Sequence, residues 1–161
     1  MKNKITDKLF ELAYTDSMTE VQNRNAYEER LKKLRKPNAN ISRITVIVVD
    51  VNGLKEINDS YGHFCGDDAI KTVAKALRDT IGLKADIYRI GGDEFVCISE
   101  SNVLPYISQF KDTIYFINNE KLYNLSVSIG YSRFHEKYSK VIDDIICRVD
   151  EKMYMDKKSK K

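Results

Sequence analysis

Long apolar runs are missing from this chain: none approaches the ~20 residues needed to cross a bilayer, and no secretory leader is visible. A soluble cytoplasmic domain without membrane contact is the expectation. Cysteine is scarce, and Cys65, Cys97 and Cys147 are odd in number and lack metal-ligand spacing. That excludes a disulfide framework and points to a reducing compartment. Charge of one sign is nearly balanced by the other: 27 Lys and Arg against 24 Asp and Glu leave +3. The excess gathers at Lys157, Lys158, Lys160 and Lys161 rather than across a surface, which argues against a nucleic-acid partner. Repeats and low-complexity linkers are also lacking. At 161 residues and 42% hydrophobic content, the chain suits one substantial core and is too short for two ordinary domains.

Two acidic positions stand out. In Arg89-Ile90-Gly91-Gly92-Asp93-Glu94-Phe95, the strand formers Ile87, Tyr88 and Ile90 precede a Gly-Gly turn, and Phe95-Val96-Cys97-Ile98 follow it. This reads as a β-hairpin, since glycine reaches positive φ without strain, with Asp93 and Glu94 at its tip. Glycines there also let a ligand approach the backbone. The plainer reading is a polar turn whose acids only solvate it. Ile44-Thr45-Val46-Ile47-Val48-Val49 is an unbroken run suited to a central strand, and Asp50 ends it. A carboxylate at such a strand mouth is costly unless paired or metal-bound. Acids on two separate strands can jointly hold hard divalent cations through oxygen ligands, as phosphoryl transfer requires.

Periodicity supplies the remaining elements. Ile5, Leu9 and Leu12 share one face of a short helix at 1–13, read as the stub of a linker from an upstream sensor domain. Helices are predicted at about 20–36, ending near Pro37; at 66–81, with Gly82 as the stop; at about 103–118, opening at Ser101 or Asn102; and at about 139–158. Leu125–Tyr131 alternates like a half-buried strand. The order predicts an α/β sandwich around a mixed, largely antiparallel sheet of about five strands.

The segment Lys55-Glu56-Ile57-Asn58-Asp59-Ser60-Tyr61-Gly62-His63-Phe64-Cys65-Gly66-Asp67-Asp68, together with Gly91-Gly92-Asp93-Glu94-Phe95, resembles the GGDEF domain family, the diguanylate cyclases. Asp16-Ser17-Met18-Thr19 with Asn23-Arg24 resembles the family's N-terminal signature, and Asp150, Met153, Tyr154 and Lys157 its C-terminal one. The resemblance covers residues 14–161 and leaves 1–13 as linker. It implies a fold related to nucleotidyl cyclases and polymerase palms. It also implies condensation of two GTP into cyclic di-GMP with release of two pyrophosphates, across a transient homodimer.

The resemblance further implies roles for single residues. Asp50, the Val51 carbonyl and Asp93 hold Mg²⁺, for which Mn²⁺ can substitute. Asp93 sits nearest the chemistry, and Glu94 is an auxiliary carboxylate, either metal ligand or proton acceptor. Asn58 and Asp67 read guanine, whose N–H donors a carboxylate can answer; Asp67 also reads as a first-turn acid on the helix dipole, and Asn58 as a turn residue. His63, in the loop after Gly62, lines the nucleotide pocket. Gly53, Leu54 and Lys55 lie on the phosphate side, with backbone N–H groups of the first two near the β/γ-phosphates. Gly91 and Gly92 admit the ligand, and Lys157 and Lys161 bind phosphate near the C-terminus.

The chain departs from the family pattern at several positions. Asn52 replaces the second acid of the strand-end motif, Leu54 an aromatic, Glu20 a glycine of the N-terminal turn, and Lys161 an arginine. Gly82-Leu83-Lys84-Ala85-Asp86 lacks the arginine of the family's inhibitory site. Asn52 and Lys161 keep open an alternative, a regulatory module that binds GTP or a cyclic dinucleotide without turning it over.

Overall fold

The computed structural model describes residues 2–160, and the side chains of residues 8–160. The elements run α1 (Lys2–Tyr14), α2 (Arg24–Leu34), β1 (Thr45–Val51), α3 (Leu54–Tyr61), α4 (His63–Thr80), β2 (Asp86–Arg89), β3 (Glu94–Ser99), α5 (Leu104–Asn118), β4 (Val127–Arg133) and α6 (Ile142–Ser159). Among the described residues no helix is long and apolar enough to cross a membrane.

All seven residues of β1 are buried, as its unbroken apolar run requires of a strand covered on both faces. Its alternating side chains feed two cores. Ile47, Val49 and Val51 pack with Val73 and Leu77 of α4 and Phe110 of α5. Val46 and Val48 pack with Leu31 and Leu34 of α2 and with Ile142, Ile145 and Val149 of α6. The result is an α/β sandwich with sheet order β2-β3-β1-β4.

Every strand pair in this sheet is antiparallel, and there are four strands rather than about five. The place of a fifth is taken by Gln22, a single parallel bridge outside Tyr88. Gln22 N–H donates to the Ile87 carbonyl at 3.0 Å, and Arg89 N–H to the Gln22 carbonyl at 2.8 Å. Pairing stops there because Asn23 immediately caps α2, its side chain accepting from the Ala26 N–H. The same cap delays α2 to residue 24 instead of 20. Asp16 folds the preceding turn by accepting from the Thr19 N–H (2.9 Å) and hydroxyl (2.6 Å). Glu20, at the family's glycine position, takes φ 61°.

Other boundaries shift by one turn or less. Asn102 accepts from the Leu104 N–H at the start of α5, β4 begins at 127 and α6 at 142. Leu9 and Leu12 of the α1 seam are exposed; the Ile5 side chain lies outside the described residues. A separate helix at 54–61 is unforeseen in the sequence, because Ile57 is its one buried side chain.

The position of α6 depends on two features of β4. A Cβ on Gly130 would collide with the Val149 carbonyl and Met153 backbone, so the helix crosses the strand at a distance that excludes any side chain. Along the free edge of β4, Lys152 donates to the Tyr131 carbonyl (3.1 Å), Asp156 accepts from the Ile129 N–H (2.8 Å), and Lys160 donates to the Val127 carbonyl (2.7 Å). Helix residues four apart rise about 6 Å and strand residues two apart span about 6.8 Å, so the two ladders stay in step. They also cover an edge that would otherwise offer unpaired backbone groups.

Gly130→Ala should therefore cost about 1–3 kcal/mol by forcing α6 outward, read as a lower urea midpoint with unchanged slope. An unchanged midpoint would show that α6 has room to spare.

Candidate active site

The site is built at the end of β1. Even-numbered residues of this strand face α6, and Asp50 therefore points inward, with only 4% of its surface exposed. The sequence marks this acid as costly at a strand mouth, and the structure buries it. Its cross-strand neighbours are Glu94 on β3 and Ser128 on β4. A buried carboxylate needs a partner, and Lys157, in the last turn of α6, supplies it with an ammonium 2.7 Å from Oδ1. Next along β1, the Val51 N–H donates to the Asp93 carbonyl at 2.9 Å, which draws the hairpin tip to the strand end. Asn52 is occupied structurally. It donates to Ser126 Oγ (3.1 Å) and accepts from the Ser128 hydroxyl (2.7 Å), tying β1 to β4. Gly53, at φ 64°, then turns the chain into α3, a conformation that glycine adopts without Cβ strain.

A cleft of about 620 Å³ opens there, lined by Val51, Gly53, Leu54, Lys55, Asp93 and Lys157, with Lys160 beside them. That is the size range of small-ligand sites. Six of the residues singled out in the sequence are thus brought together. Asp50 and Glu94 stand just behind, on the α6 side of the sheet.

The electrostatics are those of crowded acids. The Glu94 carboxyl is pushed up, first by burial and then by Asp93, Asp50 and Asp150, with Lys157 opposing. Lys157 is pushed up chiefly by its hydrogen bond to Asp50, against burial, with the charges of Asp50, Asp93 and Glu94 adding. Among the described residues no three His, Cys, Asp or Glu side chains converge as a complete metal cage. Two carboxylates and a strand-end carbonyl nevertheless suit Mg²⁺, which uses one or two carboxylates and fills its shell with water and phosphate. A divalent cation held here would relieve the repulsion that Asp93, Asp50 and Asp150 add to burial at Glu94.

The base-reading candidates sit apart from the cleft lining. Asn58, late in α3, packs so closely on Gly66 that a Cβ there would collide with its carboxamide. Gly62 (φ 85°) joins α3 to α4, which opens at His63 and not at 66. His63 is therefore an exposed first-turn residue of a helix, not part of a loop, and Asp67 lies in the second turn, too far along to be a first-turn acid. Asp68 anchors the segment before β4 by accepting from Lys121 and the Tyr123 hydroxyl, both at 2.6 Å. Lys161 lies outside the described residues.

At the hairpin tip neither Gly91 nor Gly92 takes positive φ. Lack of a side chain is what matters instead: a Cβ on Gly91 would lie 3.0 Å from Glu94 Oε2, while Gly92 faces open space. Arg89 fixes the tip, donating to the Gly92 carbonyl (2.8 Å) and to Asp16 Oδ1 (3.1 Å). Burial alone would raise the Asp16 carboxyl, but hydrogen bonds from Thr19 and Arg89 outweigh it and hold it below its ordinary 3.8. The Asp16–Arg89 clamp and the contact of Lys160 with β4 were not legible as parts of the site. Arg89 lies 73 residues from Asp16, and Lys160 reaches the Val127 carbonyl 33 residues away; the local signal was the Asp16–Thr19 turn.

The antiparallel four-stranded sheet with its helices has the palm-like cyclase fold. A family model described as "Diguanylate cyclase, GGDEF domain" matches residues 13–161. The chain belongs to the GGDEF domain family. It is 31% identical over 153 residues to "Probable diguanylate cyclase DgcI" of Escherichia coli strain K12, covering 94% of this chain and 33% of that protein. It is 30% identical over 171 residues to a diguanylate cyclase of Vibrio cholerae serotype O1, covering 97% of this chain and 50% of that protein. The chain thus spans half or less of these relatives. In fold it is similar to the coiled coil and GGDEF domain of DgcB from Caulobacter crescentus, solved in complex with c-di-GMP. The TM-score is 0.80, with 20% identity and coverage of 98% of this chain and 87% of that one.

Arg89→Ala should cost about 2–4 kcal/mol, because it leaves Asp16 half-buried and unpaired. Since the folded Asp16 value is depressed, the clamp's stabilisation is present above the ordinary 3.8 and is lost as pH falls through the lower folded value. The stability gap between wild type and Asp16→Asn, followed by denaturant melts from pH 7 to 3, should narrow in that range. A constant gap would contradict the pairing.

Proposed function

We propose that this chain is the catalytic domain of a diguanylate cyclase, joining two GTP into cyclic di-GMP with release of two pyrophosphates. The observation that carries the reading is a cleft lined by Asp93, the Val51 strand end, Lys55 and Lys157, with Asp50 just behind it and paired to Lys157. Asp50, Asp93 and the Val51 carbonyl would hold Mg²⁺ or Mn²⁺. Such an ion neutralises charge developing on phosphate oxygens and favours the attacking hydroxyl. Lys55 and Lys157 face the triphosphate as point charges, and the open backbone at Gly53 and Leu54 lets phosphate come close. Glu94, with its raised proton affinity, is suited to take a proton or to join the metal shell. Asn58 and Asp67, on neighbouring turns of α3 and α4, answer the donor edge of guanine; Asp67 favours GTP over ATP.

One copy holds one such site, while the product is two-fold symmetric. A transient homodimer with hairpin tips opposed satisfies this by isologous contact. The satisfied state of Asn52 weakens the case for an inactive module, since its amide serves the sheet and removes no ligand from the cleft.

Purified protein incubated with GTP and Mg²⁺ should release pyrophosphate and form cyclic di-GMP, with rate per protein rising as protein concentration rises. Asp93→Asn, a half-buried position, should abolish product while melting within about 1 kcal/mol of wild type. Full activity in that variant, or specific activity that stays flat while light scattering reports monomer, would overturn the respective part. Asp67→Ser should admit ATP in competition with GTP; an unchanged preference would leave Asp67 as a helix residue only.

A further inference from the structure

Lys157 stands between two possible partners, a carboxylate and an incoming phosphate. Its ammonium donates to Asp50 Oδ1 at 2.7 Å, yet it also lines the cleft in which a triphosphate would lie. Asp50 has 6% side-chain exposure and Lys157 36%, so the carboxylate is fixed while the lysine head borders solvent. The lysine stem is flexible, with an ammonium that is a compact, rotatable point charge. An oxygen that accepts an ammonium cannot give the same lone pair to a metal at about 2.1 Å, and the two cations would repel across a few ångströms.

We propose that Lys157 is the resident counter-ion of the metal seat: it neutralises Asp50 in the empty site, and an arriving divalent cation must displace it into the cleft, where it becomes available to phosphate. Metal and ammonium exchange at one carboxylate. The exchange makes metal entry and triphosphate capture sequential, because the lysine is released toward phosphate only when Asp50 has another cation. It also protects the nucleotide-free fold from a bare buried charge. The inference rests on the metal–triphosphate reading of the cleft and adds an order of events to it.

The exchange has an unusual signature, opposite effects on two ligands. Removing the ammonium should tighten metal binding in the nucleotide-free protein and weaken binding of the nucleotide. Mn²⁺ titrated into wild type without nucleotide, with free Mn²⁺ read by electron paramagnetic resonance, gives the reference. Lys157→Met should bind Mn²⁺ about tenfold more tightly, the scale of one close ion pair removed, and should bind Mn²⁺-loaded GTPγS more weakly. Lys55→Met removes the same charge from the same cleft without touching Asp50, and should leave Mn²⁺ affinity within about twofold of wild type. Adding Asp50→Asn to Lys157→Met should remove the tightened site. Thermal melts confirm folding, with Lys157→Gln as the second variant should the methionine chain fail to fold.

Equal or weaker Mn²⁺ binding in the Lys157 variants, equal tightening in Lys55→Met, or a tight site that survives Asp50→Asn overturns the proposal. The Mn²⁺ comparison involves no turnover. A chain that makes no cyclic dinucleotide yet tightens Mn²⁺ on loss of Lys157 upholds the exchange and refutes the cyclase reading. Product formation without tightening refutes the exchange alone.

Discussion

Asp50 ends a strand whose seven residues are all buried, and its carboxylate shares that burial. Apolar packing of β1 on both faces is what makes the sheet's centre rigid, and the same packing makes an acid at its end expensive. Lys157 offsets that cost. The core and the chemistry are therefore linked at one contact: a well-packed central strand supplies a fixed, desolvated carboxylate, and α6 must reach it.

How α6 reaches it explains features that look unrelated. Gly130 lets the helix lie against β4 without an intervening side chain. Lys152, Asp156 and Lys160 pair with the free edge of β4 and set the helix along the strand. Ile145 and Val149, earlier on the same stripe of the helix, are buried in the α2-side core. On the other side of the site, Arg89 fastens the hairpin tip to the turn at Asp16, directly after α1. The two halves of the acidic site thus hang on separate braces, one from the C-terminal helix and one from the N-terminal turn.

Much of this was legible in the sequence, for reasons that can be named. The run from Ile44 to Val49 has no polar interruption, and α4 repeats Ile70, Val73, Ala74 and Leu77 with helical period; both follow from burial, which leaves a local pattern. The cleft residues from Val51 to Lys55 were found because they are contiguous with β1. Helix α3 was not foreseen, since one buried residue makes no periodic stripe. The sequence placed no fifth strand, and Gln22 adds only a single bridge beside Tyr88 before Asn23 caps α2. The burial of Asp50 and its pairing with Lys157 join residues 107 apart, a contact that the order of the chain does not encode locally. Glu20 at φ 61° shows the converse: the turn keeps a backbone suited to glycine even with a larger residue in place.

The most direct test of the account is a crystal structure of the protein with Mn²⁺ and a GTP analogue that cannot be cyclised. The account predicts an anomalous Mn²⁺ peak shared by Asp50, the Val51 carbonyl and Asp93, triphosphate in the cleft beside Lys55, and the Lys157 ammonium moved from Asp50 to a phosphate oxygen. Mn²⁺ bound elsewhere, or a nucleotide seated in the cleft with Lys157 still on Asp50, would contradict it.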